Sequence, residues 1–194
     1  MMKTVTNHAL KEWNITVEAL EQGETIMLLR KGGIREQNGK FKVDQNKILL
    51  YPTFEHQKPT LLKPEYAHFV QPVSSSWHPE TVKISSFAEI THILSWNNSQ
   101  DESLIHSLIK FHIWNETFVR DRIQFKPQQP LYILLLRTYK LSQVHEIPYH
   151  PSYGGCRSWI DLQQPISLDN KIPILTQENY DQKVSMIAQI LQSS

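Results

Sequence analysis

Hydrophobic residues in the first window recur with two periods at once. Leu10, Trp13, Val17 and Leu20 return every three or four positions, as on one face of a helix. Trp13, Ile15 and Val17 also alternate, as on a strand. The helical period predicts a helix over 7–21. Asn7 would accept the cap bond, and Gly23 would take the left-handed conformation that stops it. Thr25 to Arg30 then reads as a buried strand leaving through a turn at Lys31-Gly32-Gly33-Ile34. Residues 47–53 predict a second strand ending at Pro52, and 58–70 a short helix. Alternation over Thr81 to Ser95 predicts one or two strands. Asp101 caps an amphipathic helix carrying Leu104, Ile105, Leu108 and Ile109. Asn115 caps another, with Phe118, Val119 and Ile123 on one face and Pro127 and Pro130 closing it. Leu131 to Leu141 is continuous and apolar enough for a central strand. Residues 178–191 form a terminal helix turning Tyr180, Val184, Ile187, Ala188 and Leu191 inward. Helix and strand mix without regular alternation, so the expected class is α+β with a mixed curved sheet and flanking helices. One domain is expected over 1–194, with 174–194 as a C-terminal helix.

Composition narrows the setting. A chain of 194 residues with 40% hydrophobic and 20% charged residues can bury a core. Its one cysteine excludes an intramolecular disulfide and a zinc site built on several thiolates. The longest aliphatic-aromatic run, Leu131 to Leu136, falls far short of the roughly 20 residues of a membrane span. The N-terminus lacks an apolar signal-peptide core. A soluble cytoplasmic protein with no membrane partner is the expectation.

The net charge of +1 excludes a uniformly basic coat protein but conceals segregation. Residues 30–63 carry 8 cations and 3 anions, and residues 103–140 carry 6 and 2. The three remaining segments are acidic on balance. Local basic surface attracts polyanions whatever the total.

Candidate chemistry follows those segments. Arg30, Lys31 and Arg35 flank the Gly32-Gly33 turn, where backbone amides can form an anion-binding nest. Arg120, Arg122 and Lys126 would extend that surface, with Trp114 or Tyr51 as a stacking platform for a base. The expected partners are RNA, DNA or a nucleotide; a protein partner is left open. Nine histidines show no close metal-ligand spacing, and no motif points to a metal or a cofactor. The competing class is a hydrolase or nuclease. Glu55 and His56 would supply acid and base, with Arg157 or Cys156 beside them in Tyr153-Gly154-Gly155-Cys156-Arg157-Ser158-Trp159. That reading expects Tyr51, His56 and Arg157 to converge on one pocket. A third class is a protein-interaction or toxin–antitoxin accessory that uses the terminal helix.

Several segments resemble a family of uncharacterised bacterial proteins, prominent in cyanobacteria and known as a domain of unknown function. They are Ala9 to Trp13, Leu28 to Ile34, Leu50 to Gln57, His112 to Trp114, Leu134 to Arg137 and Tyr153 to Trp159. That resemblance implies no particular activity. The opening helix followed by Gly23-Glu24-Thr25 and Arg30 is similar to ASCH domains of the PUA-like group. Glu24 and Leu28 stand where that group has Lys and Glu. This second likeness implies a small partial β-barrel with flanking helices, in a group that commonly binds RNA or modified bases.

Overall fold

The computed structural model describes residues 4–31, 36–37, 40–41, 46–74, 77–96, 102–155 and 157–192. Strand β1 (Val5–Trp13) runs into helix α1 (Asn14–Glu21) and then β2 (Met27–Arg30). A short hairpin of β3 (Glu36–Gln37) and β4 (Lys40–Phe41) precedes β5 (Lys47–Thr53). Then follow α2 (Pro64–Ala67), β6 (Thr81–Trp96), α3 (Glu102–Leu108), α4 (Glu116–Gln124) and β7 (Leu131–Pro148). The chain closes with β8 (Trp159–Ser167), β9 (Ile172–Pro173) and α5 (Gln177–Gln192).

The main sheet has the order β2-β7-β6-β5-β1-β8, with β9 beside β7. β1 and β5 pair in parallel; the other neighbours are antiparallel. The class is therefore α+β, a mixed sheet with flanking helices. The sheet is open and not a closed barrel. It is nevertheless curled. β2 and β1 are four strands apart along the path, roughly 19 Å in a flat sheet. Arg30 on β2 still bonds the carbonyl of Lys11, the carboxylate of Glu12 and the hydroxyl of Ser158 just ahead of β8. An arginine spans that gap only if the sheet bends its two ends together.

The expected helix over 7–21 is half strand. Ala9 and Leu10 are both fully buried, one on each side of the sheet, because each face of β1 lies against a core cluster. Asn7 does not cap a helix; its amide donates to the Leu162 carbonyl. The helix begins at Asn14, and Gly23 does follow its end, at φ +72°. A Cβ there would also lie 2.7 Å from Leu175, so the site needs glycine twice over. β5 continues through Pro52 to Thr53, one residue beyond the expected stop. β6 pairs β5 only at Lys47–Leu49, so beyond that one side of β5 is free and the missing N–H costs no ladder bond. β7 extends to Pro148, past the expected Leu141, because it follows the far end of β6.

Alternation on β5 divides the core. Ile48 and Leu50 face a large cluster with α1, α3, α4, α5 and the apolar run of β7. Leu49 and Tyr51 face a smaller one with Phe87, Tyr139, Tyr153 and the inward residues of β8. Asn115 caps α4 as expected, accepting from the Phe118 amide at 3.1 Å. Among the described residues no helix is long and apolar enough to cross a membrane.

Candidate nucleic-acid interface

The cations of the first basic segment end in fixed places. Arg30 and Glu12 form a nearly buried ion pair, with side chains 14% and 12% exposed. Lys31 is 8% exposed and donates to the Ile123 carbonyl at 2.7 Å. Ile123 lies in the last turn of α4, where the negative end of the helix dipole favours a cation. Burial holds the Lys31 ammonium below its ordinary pKa. Gly32, Gly33 and Arg35 lie outside the described residues.

The second basic segment divides. Arg120 pairs with Glu102 and, at 3.0 Å, with Glu116 on the exposed side of α4. Arg122 turns the other way. Its guanidinium lies over the Phe118 ring at 4.9 Å. Burial, then the neighbouring Arg30 charge, holds it below its ordinary pKa, and Glu12 opposes them. Arg122 thus stands close enough to the Arg30–Glu12 pair to feel both charges. Lys126 is exposed beyond the helix and lies over Phe125 at 5.3 Å. Trp114 offers no platform for a base. It is 3% exposed and stacks on Phe118 at 4.7 Å, inside the larger cluster.

The same corner gathers Tyr153, Gly155 and Ser158. Lys11 donates its amide to the Ser158 carbonyl at 2.8 Å and its ammonium to the Tyr153 and Gly155 carbonyls at 2.6 and 3.0 Å. Arg157 is exposed, and no carboxylate pairs with it among the described residues. Cys156 lies outside them.

Lys11 also lines a narrow cleft at the open end of the smaller cluster, with room for about 20 Å³. Tyr51, Phe54, Trp77, His78, Tyr149 and Tyr153 form its walls, with Glu55 and Gly154 among them. Tyr51 meets Tyr153 edge-on at 5.8 Å, and Phe54 meets Trp77 edge-on at 5.9 Å. His78 stacks on Tyr149 at 3.4 Å. Gly154 lets that wall close up: a Cβ there would lie 2.7 Å from the Tyr149 hydroxyl. Of the three residues expected to converge, the cleft gathers Tyr51 alone, with Glu55 of the candidate acid–base pair beside it. His56, exposed at φ +62°, and Arg157 are not on its wall. A second depression, between α1 and α2, is lined by Glu18, Glu24, Glu65, Tyr66 and the exposed Phe69. Its carboxylates repel a polyanion. Among the described residues no three His, Cys, Asp or Glu side chains group as for a metal ion.

Comparison with family models gives one assignment. The model for a domain of unknown function, DUF1802, matches residues 9–186. The chain belongs to this family. No curated protein matches the sequence. Among solved structures, the ASCH protein from Zymomonas mobilis is similar at 13% identity and a TM-score of 0.42, covering 92% of each chain. A single-substitution variant of it is similar at 13% identity and a TM-score of 0.45, covering 92% of this chain and 96% of that one. Within the DUF1802 chain, sequence reasoning missed Lys11, Trp77, His78 and Tyr149. Trp77-His78-Pro79 and Pro148-Tyr149 are aromatic residues set beside prolines, the one signal the sequence held.

Proposed function

We propose that this protein binds single-stranded nucleic acid or a nucleotide through the corner formed by Lys11, Arg30, Arg122, Arg157 and Ser158. One observation carries the reading: Arg122 stands near the Arg30–Glu12 pair, yet no carboxylate bonds it among the described residues. A phosphate would supply a counter-charge there, and guanidinium forks bind phosphate oxygens in bidentate fashion. Arg122 and Arg157 are the contact residues; Arg30 and Lys31 hold the corner together. Lys126 extends the surface past the end of α4.

The test is fluorescence anisotropy with labelled single-stranded and duplex RNA and DNA at low salt. Wild-type protein binds single strands, and the double variant Arg122→Gln, Arg157→Gln binds them at least tenfold more weakly. Absence of binding by the wild type, or equal binding by the double variant, overturns the reading.

A further inference from the structure

We infer that the depression between α1 and α2 docks a basic segment of a partner protein, on a surface separate from the cationic corner. It has room for about 250 Å³, more than ten times the cleft beside Tyr51. Ile15 and Ala19 line it from α1 and are buried, so its floor is apolar. Tyr66 and Phe69 wall it from the α2 side. Among the described residues Phe69 is the most exposed large hydrophobic side chain, at 66%. A lone apolar side chain in water is ordinary; one that walls a cavity with an apolar floor is part of a patch, and such patches mark interfaces.

The ring is held in place. The Phe69 amide donates to the Tyr66 carbonyl at 3.2 Å, and the Val70 amide to that of Ala67 at 3.3 Å. Leu62 and Val70, before and after it, are 3% and 7% exposed. The segment is anchored on both sides of Phe69, so its exposure is not the fraying of a loose end. A preformed wall also lowers the ordering cost of binding.

Charge decides the occupant. Glu18, Glu24 and Glu65 stand around the apolar floor, and no lysine, arginine or histidine is among the lining residues. Among the described residues none of these three carboxylates is in an ion pair. Glu18 is oriented by a neutral group, the Asn14 amide, which donates to it at 2.8 Å. Lys183 bonds the Glu24 carbonyl at 3.4 Å and not its carboxylate. Lys63 feels the Glu65 charge from outside the depression. Burial, then the Glu24 carboxylate and after it that of Glu65, raises the Tyr66 phenol to about 12. Both charges therefore bear on the wall that carries Phe69. An arginine or lysine from a partner complements this surface: its stem lies on the apolar floor and the Phe69 ring, and its head stands among the carboxylates. Apolar neighbours in the same segment cover the rest of the ring. Nucleic acid is repelled here, which leaves a basic peptide as the occupant.

Fluorescence anisotropy with short labelled peptides at low salt is the test. One peptide alternates arginine and leucine, a second alternates glutamine and leucine, and a third is arginine throughout. Wild-type protein binds the arginine–leucine peptide most tightly. Phe69→Ala weakens that binding about 2- to 30-fold. The triple variant Glu18→Gln, Glu24→Gln, Glu65→Gln weakens it about tenfold and flattens its salt dependence. All four positions are exposed, so the variants fold, as circular dichroism would check. If the arginine–leucine peptide fails to bind, or binds wild type and both variants alike, the inference is overturned. Equal binding of the glutamine–leucine peptide overturns it too, because charge is then not read. Equal binding of the all-arginine peptide that survives Phe69→Ala overturns the apolar half. A dimer in light scattering that Phe69→Ala dissociates would seat a second copy there and overturn a foreign partner. Neither variant touches the cationic corner, so failure here leaves the nucleic-acid reading standing.

Discussion

The two sides of the sheet are built for different ends. The helix-covered side is aliphatic and sealed: Ile48 and Leu50 are buried there, in one cluster with residues of α1, α3, α4 and α5 and the leucines of β7. The other side is tyrosine-rich and ends in the open aromatic cleft. Polar atoms on the sealed side are trapped, with Thr16, Trp96 and Trp114 all lacking partners. On the open side Tyr51 lines a narrow cleft that opens to solvent. The sealed side therefore holds most of the buried core, and the open side keeps aromatic surface within reach of water.

Substitutions that attack this division should differ in size. The largest effect falls on the clasp that bends the sheet. Glu12→Gln leaves Arg30 nearly buried without a counter-ion and should cost about 3–5 kcal/mol in urea unfolding. Replacing both residues by methionine should recover much of that loss. Next comes the sealed side, where Leu134→Ala should cost about 2–5 kcal/mol, read from the same curves.

His112 gives a pH test of the same side. It is 2% exposed; burial, then the Lys63 charge, depresses its pKa to about 3, against a weak polar contact with the Trp114 backbone. The unfolded chain binds that proton near the ordinary value of 6.5. Its contribution is therefore complete above about pH 6.5 and is lost on acidification, by about 1.4 kcal/mol per pH unit toward pH 3. His112→Phe should flatten that slope, measured as unfolding free energy against pH. The smallest effect is expected on the open side. Trp77→Leu should change stability by less than about 0.5 kcal/mol. A large loss of stability there would erase the contrast between the two sides.

The sealed side was the more legible in sequence. The helical stripes of α4 and α5 and the apolar run of β7 each have one face or none in water, so period and composition agree. The first strand misled because β1 is covered on both faces. Leu10 and Trp13 matched a helical stripe by coincidence with the true helix behind them. β8 gave no usable signal: Gln163-Gln164-Pro165 interrupts its alternation, and its register with β1 shifts between Thr6 and His8.

The site was legible only in part. Sequence singled out Arg30, Lys31, Tyr51, Glu55, Arg122 and Arg157. It could not show that Arg30 and Lys31 would be tied down, nor that Trp114 would be core. Those outcomes depend on a curl that brings residues from β1, β2 and α4 to one corner with Tyr153, Gly155 and Ser158. Neither the cleft nor its Trp77 wall follows from any local pattern.

The salt dependence of binding tests the central claim most directly. Affinity for a labelled single-stranded RNA is measured from low to physiological salt for wild type and for Arg122→Gln, Arg157→Gln. Each phosphate contact contributes about 0.7 to the slope of log affinity against log salt, so the double variant should flatten the slope by about 1.4. A parallel slope in the two proteins, or no binding at the lowest salt, would contradict it.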